Sequence, residues 1–428
     1  MHGLLFYVLQ DCIVMRDPLG EIYDLPGSST QCARNFSAGI ETYELLAIPS
    51  FESILALTIA IMKAQDDAKP WLCSTFLSAA ARHCQVLGYH RETTYQNDNT
   101  GNRENMRRLF WSIYMFDKNM SLYFGRASNI QDFEIDTGYP AISTDPGAQL
   151  WDQATVISIQ LARLQGQIYD RLYSPSAQKA SHSERERRID DLASQLEEWH
   201  IETRKFKASL QGQSQVYDLT LANWDITYYS SLTTVLRAPS LPSAGTVINP
   251  RCLKVARLGL QTHLRYSPEF QRSDLLTATD YANWILLFST FAPFIAVFLH
   301  AVVAASFEDV LLLDQVVDSL KPTRAASHRT ERLYQVCSTF AKLARDIVER
   351  TQGRRSDIEG RARQESVWPA DSPTQAPSDR HQSLDDIFEY GMMGDIGGAI
   401  NSGNLSDILN SCLGGGQSWA ADLFETGP

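Results

Sequence analysis

The chain has 428 residues, of which 44% are hydrophobic and 21% are charged, as is typical of a soluble globular protein. Its formal net charge of −12 argues against broad binding of nucleic-acid phosphates by the chain as a whole. The seven cysteines are scattered, with no Cys-x-x-Cys pair, which favours a reducing compartment and predicts neither a disulfide scaffold nor a zinc site.

Helical periodicity dominates residues 1–350. Two apolar helical stretches, Phe51–Lys63 and Trp71–Leu87, are separated by a short polar connection and predict an antiparallel hairpin. Further helical stretches are Tyr217–Arg237, Arg251–His263, Leu275–Phe307 and Arg329–Glu349. No β-hairpin signal or alternating strand pattern occurs there. We therefore predict an all-α fold.

One aromatic stretch, RRLFWSIYMFDKNMSLYFGRASNIQDFEIDTGYP, runs from Arg107 to Pro140. Its first half follows a helical period and is apolar around most of the helix, so we predict a buried helix that ends at Gly125. Asp117 lies on an apolar stripe and needs a partner, for which Arg107, Arg108 and Arg126 are candidates. No second carboxylate or histidine has a matching spacing, so we predict a structural role for Asp117 and no catalytic residue.

The segment Trp284–Phe307 has 24 residues without a formal charge, the length of a membrane span. It also contains polar residues and Pro293, and acidic residues rather than a basic cluster flank it. These features favour a central core helix broken at Pro293 over a membrane span.

The C-terminal part has a different composition. Residues 351–382 are polar, contain proline and lack periodicity, which predicts a disordered linker. Residues 383–428 have seven acidic residues, no lysine or arginine, and short apolar groups, a pattern typical of a disordered activation segment. The predicted contacts to a coactivator groove are Leu384, Ile387, Phe388, Leu423 and Phe424. The alternative is an inert tail.

Motifs of known enzymes are missing from the sequence, including phosphate-binding glycine loops, HExxH and GxSxG. We therefore predict that the chain is not an enzyme and holds no cofactor. A rival hypothesis is a helical enzyme or small-molecule-binding protein with an aromatic pocket. That pocket would be lined by Trp111, Tyr114, Tyr123 and Trp224.

The stretch that begins at Arg107 resembles the most recognisable segment of the fungal-specific transcription factor domain, the all-helical middle region of fungal zinc-cluster regulators. The family pattern is Arg-Arg-x-Phe-Trp, a following Asp, Gly-Arg, and an acidic residue before Pro. The matching residues are Arg107, Arg108, Phe110, Trp111, Asp117, Gly125, Arg126, Asp136 and Pro140. Upstream, the segment from Pro49 to the Leu-Gly-Tyr-His that ends at His90 resembles the preceding hairpin of the family. The resemblance covers roughly residues 30–310.

This resemblance implies a nuclear transcription regulator of a metabolic or secondary-metabolite gene set, with residues 1–350 as its regulatory domain. It implies coactivator machinery as a partner, a homodimer or a heterodimer with a related regulator, and a small-molecule effector. It also implies that Arg108 and Asp117 form an internal pair that locks the helix, and that Trp111 anchors the core. The apolar stretch from Trp284 is similar to the central buried helix of the family.

Members of the family normally carry an N-terminal Zn2Cys6 cluster with six closely spaced cysteines, which this sequence does not contain. We expect DNA binding only through a missing module or a partner chain. Either the gene model lost its upstream exons, or the chain regulates without its own DNA-binding module. A third possibility is a DNA-binding-deficient co-regulator that titrates a full-length partner.

Overall fold

Fourteen α-helices make up most of the described part of the chain, and no strand occurs there. The computed structural model describes residues 1–41, 48–98, 101–209, 215–238, 249–272, 277–287, 289 and 291–365. The helices are α1 (His2–Val14), α2 (Leu25–Glu41), α3 (Phe51–Asp66), α4 (Pro70–Val86), α5 (Glu92–Gln96), α6 (Arg103–Phe124), α7 (Pro146–Ile168), α8 (His182–Ser209), α9 (Gln215–Leu236), α10 (Pro250–Arg272), α11 (Ala278–Asp280), α12 (Ala292–Ala304), α13 (Phe307–Leu320) and α14 (His328–Glu365). The prediction of an all-α fold is confirmed.

The predicted hairpin is formed by α3 and α4, which pack against each other. Ser50 caps α3, because its hydroxyl accepts a hydrogen bond from the backbone N–H of Ser53 at 3.1 Å. Pro70 begins α4 in the first turn, where its missing N–H costs nothing. Ile61 of α3 and Leu77 of α4 are almost fully buried in the core between the helices.

Helix α6 lies between α4 and α7, and it also contacts α3. Phe110, Ile113 and Tyr114 share one face and are at most 1% exposed. Trp111 and Lys118 on the adjacent stripe are 4% and 0% exposed, so much of the circumference of this helix is buried. The helix ends at Gly125, whose φ of 62° and ψ of 38° place it in the left-handed region that glycine tolerates. Both the buried helix and its predicted end are confirmed.

The described residues of the predicted stretch Leu275–Phe307 form two helical pieces, and the break between them lies just before the predicted position at Pro293. A π-helical segment, Tyr281–Leu286, ends before α12 begins at Ala292. Pro293 lies in the first turn of α12 and therefore starts a helix rather than kinking one. Phe294 and Phe298 are 0% exposed, which confirms a buried central helix. None of the helices in the described ranges has the length and apolar character of a bilayer span.

The predicted linker 351–382 begins too early. Helix α14 continues through this position to Glu365, so residues 351–365 are helical rather than extended linker. The sequence allows this continuation because the first proline after α14 is Pro369, and proline is the residue that most strongly ends a helix. Residues 366–382 and the whole segment 383–428 lie outside the described residues.

Candidate functional site

The site built by the aromatic stretch is the C-terminal half of α6 together with the loop that follows it, residues 125–141, which we call the anchored loop. Asp117 is 2% exposed and receives three hydrogen bonds from this loop. Asn129 donates its backbone N–H at 3.0 Å and its amide at 2.7 Å, and Ile130 donates its N–H at 2.8 Å. Burial raises the pKa of Asp117, although these donors act in the opposite direction.

The predicted Arg108–Asp117 pair is wrong. The Arg108 guanidinium donates to Asp152 at 2.6 Å and to the Ala141 carbonyl at 3.1 Å. It also lies 3.3 Å from Glu104, one turn earlier on α6. The sequence pattern suggested that Arg108 pairs with Asp117 because both residues are on α6. In the structure, Arg108 extends toward the far end of the anchored loop and the start of α7. The hydrogen bond from Arg108 lowers the pKa of Asp152.

Neither of the other two candidate arginines pairs with Asp117. Arg107 donates to both oxygens of Glu92, at 3.0 and 3.2 Å, and its guanidinium lies 4.5 Å from the centre of the Tyr95 ring. The Arg126 guanidinium lies 4.8 Å from the Trp71 ring and 4.7 Å from the Phe124 ring. These are cation–π contacts, and they fix the turn after α6 against α4.

Lys118 is the residue that sequence reasoning missed, because its position on an apolar stripe suggested no charge partner. Its side chain is 0% exposed, and Nζ lies 2.9 Å from Asp132 Oδ1. Nζ also donates to Ser128 Oγ and to the Ile130 carbonyl, both at 2.8 Å. The ammonium therefore makes two hydrogen bonds and an ion pair, and burial of a charge requires such partners.

The close approach of α7 to Lys118 depends on Gly166. A Cβ at position 166 would lie 2.7 Å from Lys118 Cδ, closer than real contacts allow. A glycine at this position of α7 therefore leaves room for the lysine stem. No sequence pattern indicated this pairing, since the two residues are far apart in the chain.

The second half of the anchored loop is held by Glu92 at the start of α5. Besides Arg107, its Oε2 accepts from the Thr137 hydroxyl at 3.1 Å and from the Gly138 N–H at 3.2 Å. The Glu92 N–H donates in turn to Asp136 at 2.7 Å. Trp111 is 4% exposed, and its indole N–H donates to the Gly138 carbonyl at 2.9 Å. The prediction of Trp111 as a core anchor is confirmed, and the anchored loop is fixed along its whole length.

A cleft of about 290 Å³ opens between α6, the anchored loop and α7. Trp111, Tyr114 and Tyr139 form its aromatic wall, with ring centres 5.0 and 5.1 Å apart in edge-to-face pairs. Asp132 and Arg163 form its polar side. The pocket predicted from Trp111, Tyr114, Tyr123 and Trp224 is therefore only half correct.

Tyr123 and Trp224 lie away from this cleft. Tyr123 is buried beside Phe124 and lines a separate small cavity. Trp224 packs against Trp199 and donates its indole N–H to Ser158 at 3.1 Å. The activation contacts predicted at Leu384, Ile387, Phe388, Leu423 and Phe424 fall outside the described residues and stay predictions.

Comparison with known proteins identifies the region that contains this site. The family model of the fungal-specific transcription factor domain matches residues 42–201. This range includes α3 to α7, the anchored loop and most of α8, but it is shorter than the range of roughly 30–310 expected from the motifs. The C-terminal part of the expected range stays a prediction.

Curated relatives extend the similarity. An uncharacterised transcriptional regulatory protein of Schizosaccharomyces pombe is 24% identical over 365 residues, covering 80% of this chain and 56% of the relative. An ABC-transporter-regulating transcription factor of Aspergillus fumigatus is 23% identical over 386 residues, covering 77% of this chain and 41% of the relative. The pyrimidine pathway regulatory protein 1 of Saccharomyces cerevisiae is 33% identical over 134 residues, covering 27% of this chain and 14% of the relative.

The chain thus spans about half of the length of the relatives that it matches most broadly. No solved structure matches it. The family match includes Arg107, Arg108, Phe110, Trp111, Asp117, Gly125 and Arg126, the residues from which the resemblance was drawn. Residues 42–201 of this chain match the fungal-specific transcription factor domain.

Proposed function

We propose that this chain is a transcription regulator in which the helical body, residues 1–350, is the regulatory domain. The observation that carries the proposal is the family match at residues 42–201, within which the motif residues build one hydrogen-bonded loop support. The names of the relatives from Aspergillus fumigatus and Saccharomyces cerevisiae support the control of a transport or metabolic gene set.

The chemistry of the motif residues favours regulation over catalysis. A general acid or base must reach its substrate, but Asp117 and Lys118 are 2% and 0% exposed, and loop atoms occupy their polar groups. Both side chains position backbone rather than a reacting group.

Activation is assigned to residues 383–428. Their seven acidic residues keep the apolar groups around Ile387, Phe388, Leu423 and Phe424 in solution, and a coactivator groove would bury these groups on binding. The site of action would be the nucleus, with DNA reached through a module outside these residues or through a partner chain.

A reporter assay tests the proposal. The whole chain and residues 383–428 are each fused to an unrelated DNA-binding domain, and both fusions should activate transcription. Ile387→Ala, Phe388→Ala, Leu423→Ala and Phe424→Ala together should abolish activation by the short fusion, because the apolar groups supply most of the affinity. The matched control is Asp385→Asn with Asp386→Asn, which should reduce activation less. A silent wild-type fusion, or full activity of the quadruple variant, would contradict the assignment of activation to this segment.

A further inference from the structure

We infer that the cleft between α6, the anchored loop and α7 binds a small zwitterion, an α-amino acid with an apolar side chain. The ion pair between Arg163 and Asp132 in this cleft is too long for a hydrogen bond. Arg163 Nε lies 3.8 Å from Asp132 Oδ2, beyond hydrogen-bonding distance. The other oxygen of Asp132 is already occupied, because Lys118 and the Tyr114 hydroxyl both lie 2.9 Å from Oδ1.

This arrangement leaves one acceptor, Asp132 Oδ2, and the half-exposed guanidinium of Arg163 facing the cleft. Among the described residues, no donor lies within hydrogen-bonding distance of Asp132 Oδ2. The Arg163 side chain is 52% exposed, and its planar guanidinium can bind a carboxylate through two parallel N–H groups. Burial acts to lower the pKa of Arg163, but a hydrogen bond with Tyr139 and the charge of Asp132 outweigh it, so the net shift is upward and the side chain stays charged.

Charge matching selects the class of ligand. A ligand with only a carboxylate would bind Arg163 but would also face the carboxylates of Asp132 and Asp136, which line the same cleft. A ligand with only an amine would face the Arg163 cation. A zwitterion places its carboxylate on Arg163 and its ammonium on Asp132 Oδ2, so both of its charges meet the opposite sign.

The shape of the cleft selects the rest of the ligand. Its volume of about 290 Å³ is at the lower limit of the range for small-molecule pockets, about 300–1,000 Å³. Trp111, Tyr114 and Tyr139, with Ile135, offer an apolar wall to a side chain of modest size. The position of this wall is fixed before a ligand binds, because Trp111 and Glu92 form hydrogen bonds with Gly138. A rigid site loses little conformational entropy when a ligand binds to it.

Binding is tested on the full chain by thermal-shift measurements and titration calorimetry, with L-leucine, L-isoleucine, L-valine, L-methionine, L-proline and L-phenylalanine as separate probes. At least one of them should raise the midpoint of unfolding in a saturable manner. The matching amine without a carboxylate and the matching acid without an amine should each bind at least about tenfold more weakly. A single-charge analogue that binds as well as its amino acid would overturn the inference.

Arg163→Gln should weaken binding by at least about tenfold, and Arg163→Lys should restore part of the affinity. The matched control is Arg345→Gln, since Arg345 is a similarly exposed arginine that pairs with Asp314 at the α13–α14 contact. Should Arg163→Gln fail to fold, the Arg163→Lys variant alone must show the loss. No shift with any probe, or equal affinity in the Arg163 variants and in wild type, would overturn the inference. These measurements need no transcription assay, so their failure and failure of the proposed function are separate results.

Discussion

The anchored loop and the corner between α12 and α13 each bury one aspartate, but they satisfy the carboxylate in different ways. Asp117 is 2% exposed and accepts hydrogen bonds from the loop residues Asn129 and Ile130. Asp309 is 0% exposed and binds cations, because Arg257 donates to its two oxygens at 2.7 and 2.9 Å. His300 Nδ1 lies 2.6 Å from the same carboxylate.

The pKa values of the two carboxyl groups are consequently shifted in opposite directions. Burial raises the pKa of Asp117 despite its N–H donors. Burial also acts to raise the pKa of Asp309, but the hydrogen bonds from Arg257 and His300 outweigh it and the net shift is downward. One aspartate fixes the backbone of a loop, and the other joins three helices through side chains.

This difference predicts which region tolerates substitution. The N–H of Ile130 in the anchored loop is buried, so losing the Asp117 acceptor leaves it unpaired. Arg257 has a side chain 31% exposed, so water can solvate its guanidinium when Asp309 changes. Substitutions beside the loop should therefore cost more than substitutions at the corner.

The largest effect is expected for Lys118→Met, which keeps the unbranched apolar stem of the side chain but removes its charged end. Asp132 Oδ1 and the Ile130 carbonyl then lose a buried donor, so we expect a loss of about 3–5 kcal/mol in the free energy of unfolding. Urea denaturation measures this loss. The control is Lys205→Met on the exposed surface of α8, which should change stability by less than about 0.5 kcal/mol.

A double variant separates the charge pair from the loss of packing. Asp132→Asn should cost less in the Lys118→Met background than in wild type, because the carboxylate has already lost its buried cation. If the two substitutions are instead additive, Lys118 does not stabilise the loop through Asp132.

The second largest effect is expected for Asp117→Asn. The amide can present only one acceptor oxygen, and its NH2 group would face the N–H groups of Asn129 or Ile130. We expect a loss of about 2–3 kcal/mol in urea denaturation. Asp190→Asn, at an exposed position of α8, is the matched control. A cost for Asp117→Asn as small as that of the control would mean that the loop is not held by this carboxylate.

Much of this region could be predicted from the sequence, because helical period and the Gly125 stop are local signals. The hairpin α3–α4 and the buried α6 followed from spacing, and the Trp111 anchor followed from the family resemblance. The partners of Asp117 could not be predicted in the same way. Two of the three donors are backbone N–H groups, which every residue carries, so no side-chain type in the loop marks them.

Ion pairs between residues that are distant in the sequence could not be predicted either. Arg108 and Asp152 belong to different helices, and Lys118 pairs with Asp132 beyond a turn whose geometry the sequence does not specify. Reading the charges along α6 alone therefore gave the wrong partner for Arg108. The break near Pro293 was predicted from the proline, but the π-helical segment before it was not, since an apolar run does not reveal where the backbone changes helix type.

At the corner, Asp309→Asn should have a smaller effect than either loop variant. The amide oxygen can still accept from Arg257, and the second guanidinium N–H can turn toward water. We expect a loss of about 1–2 kcal/mol in urea denaturation. If Asp309→Asn destabilises the protein as much as Asp117→Asn does, the solvent exposure of the hydrogen-bond partner does not determine how well a buried aspartate tolerates substitution.

The smallest expected effect is the pH dependence of the stability gap between wild type and each aspartate variant. The folded pKa of Asp309 is lowered, so its ionised form stabilises the fold above the unfolded pKa of about 3.9, and this contribution is lost as the pH falls through the folded value. The stability gap between wild type and Asp309→Asn should therefore be full at neutral pH and narrow below about pH 4. For Asp117 the folded pKa is raised, so its contribution is present at low pH and is lost as the pH rises through the folded value. The gap between wild type and Asp117→Asn should accordingly widen with acid. Urea denaturation of the three chains over a pH series measures both gaps, and two gaps with the same slope would mean that the two aspartates are not stabilised in different ways.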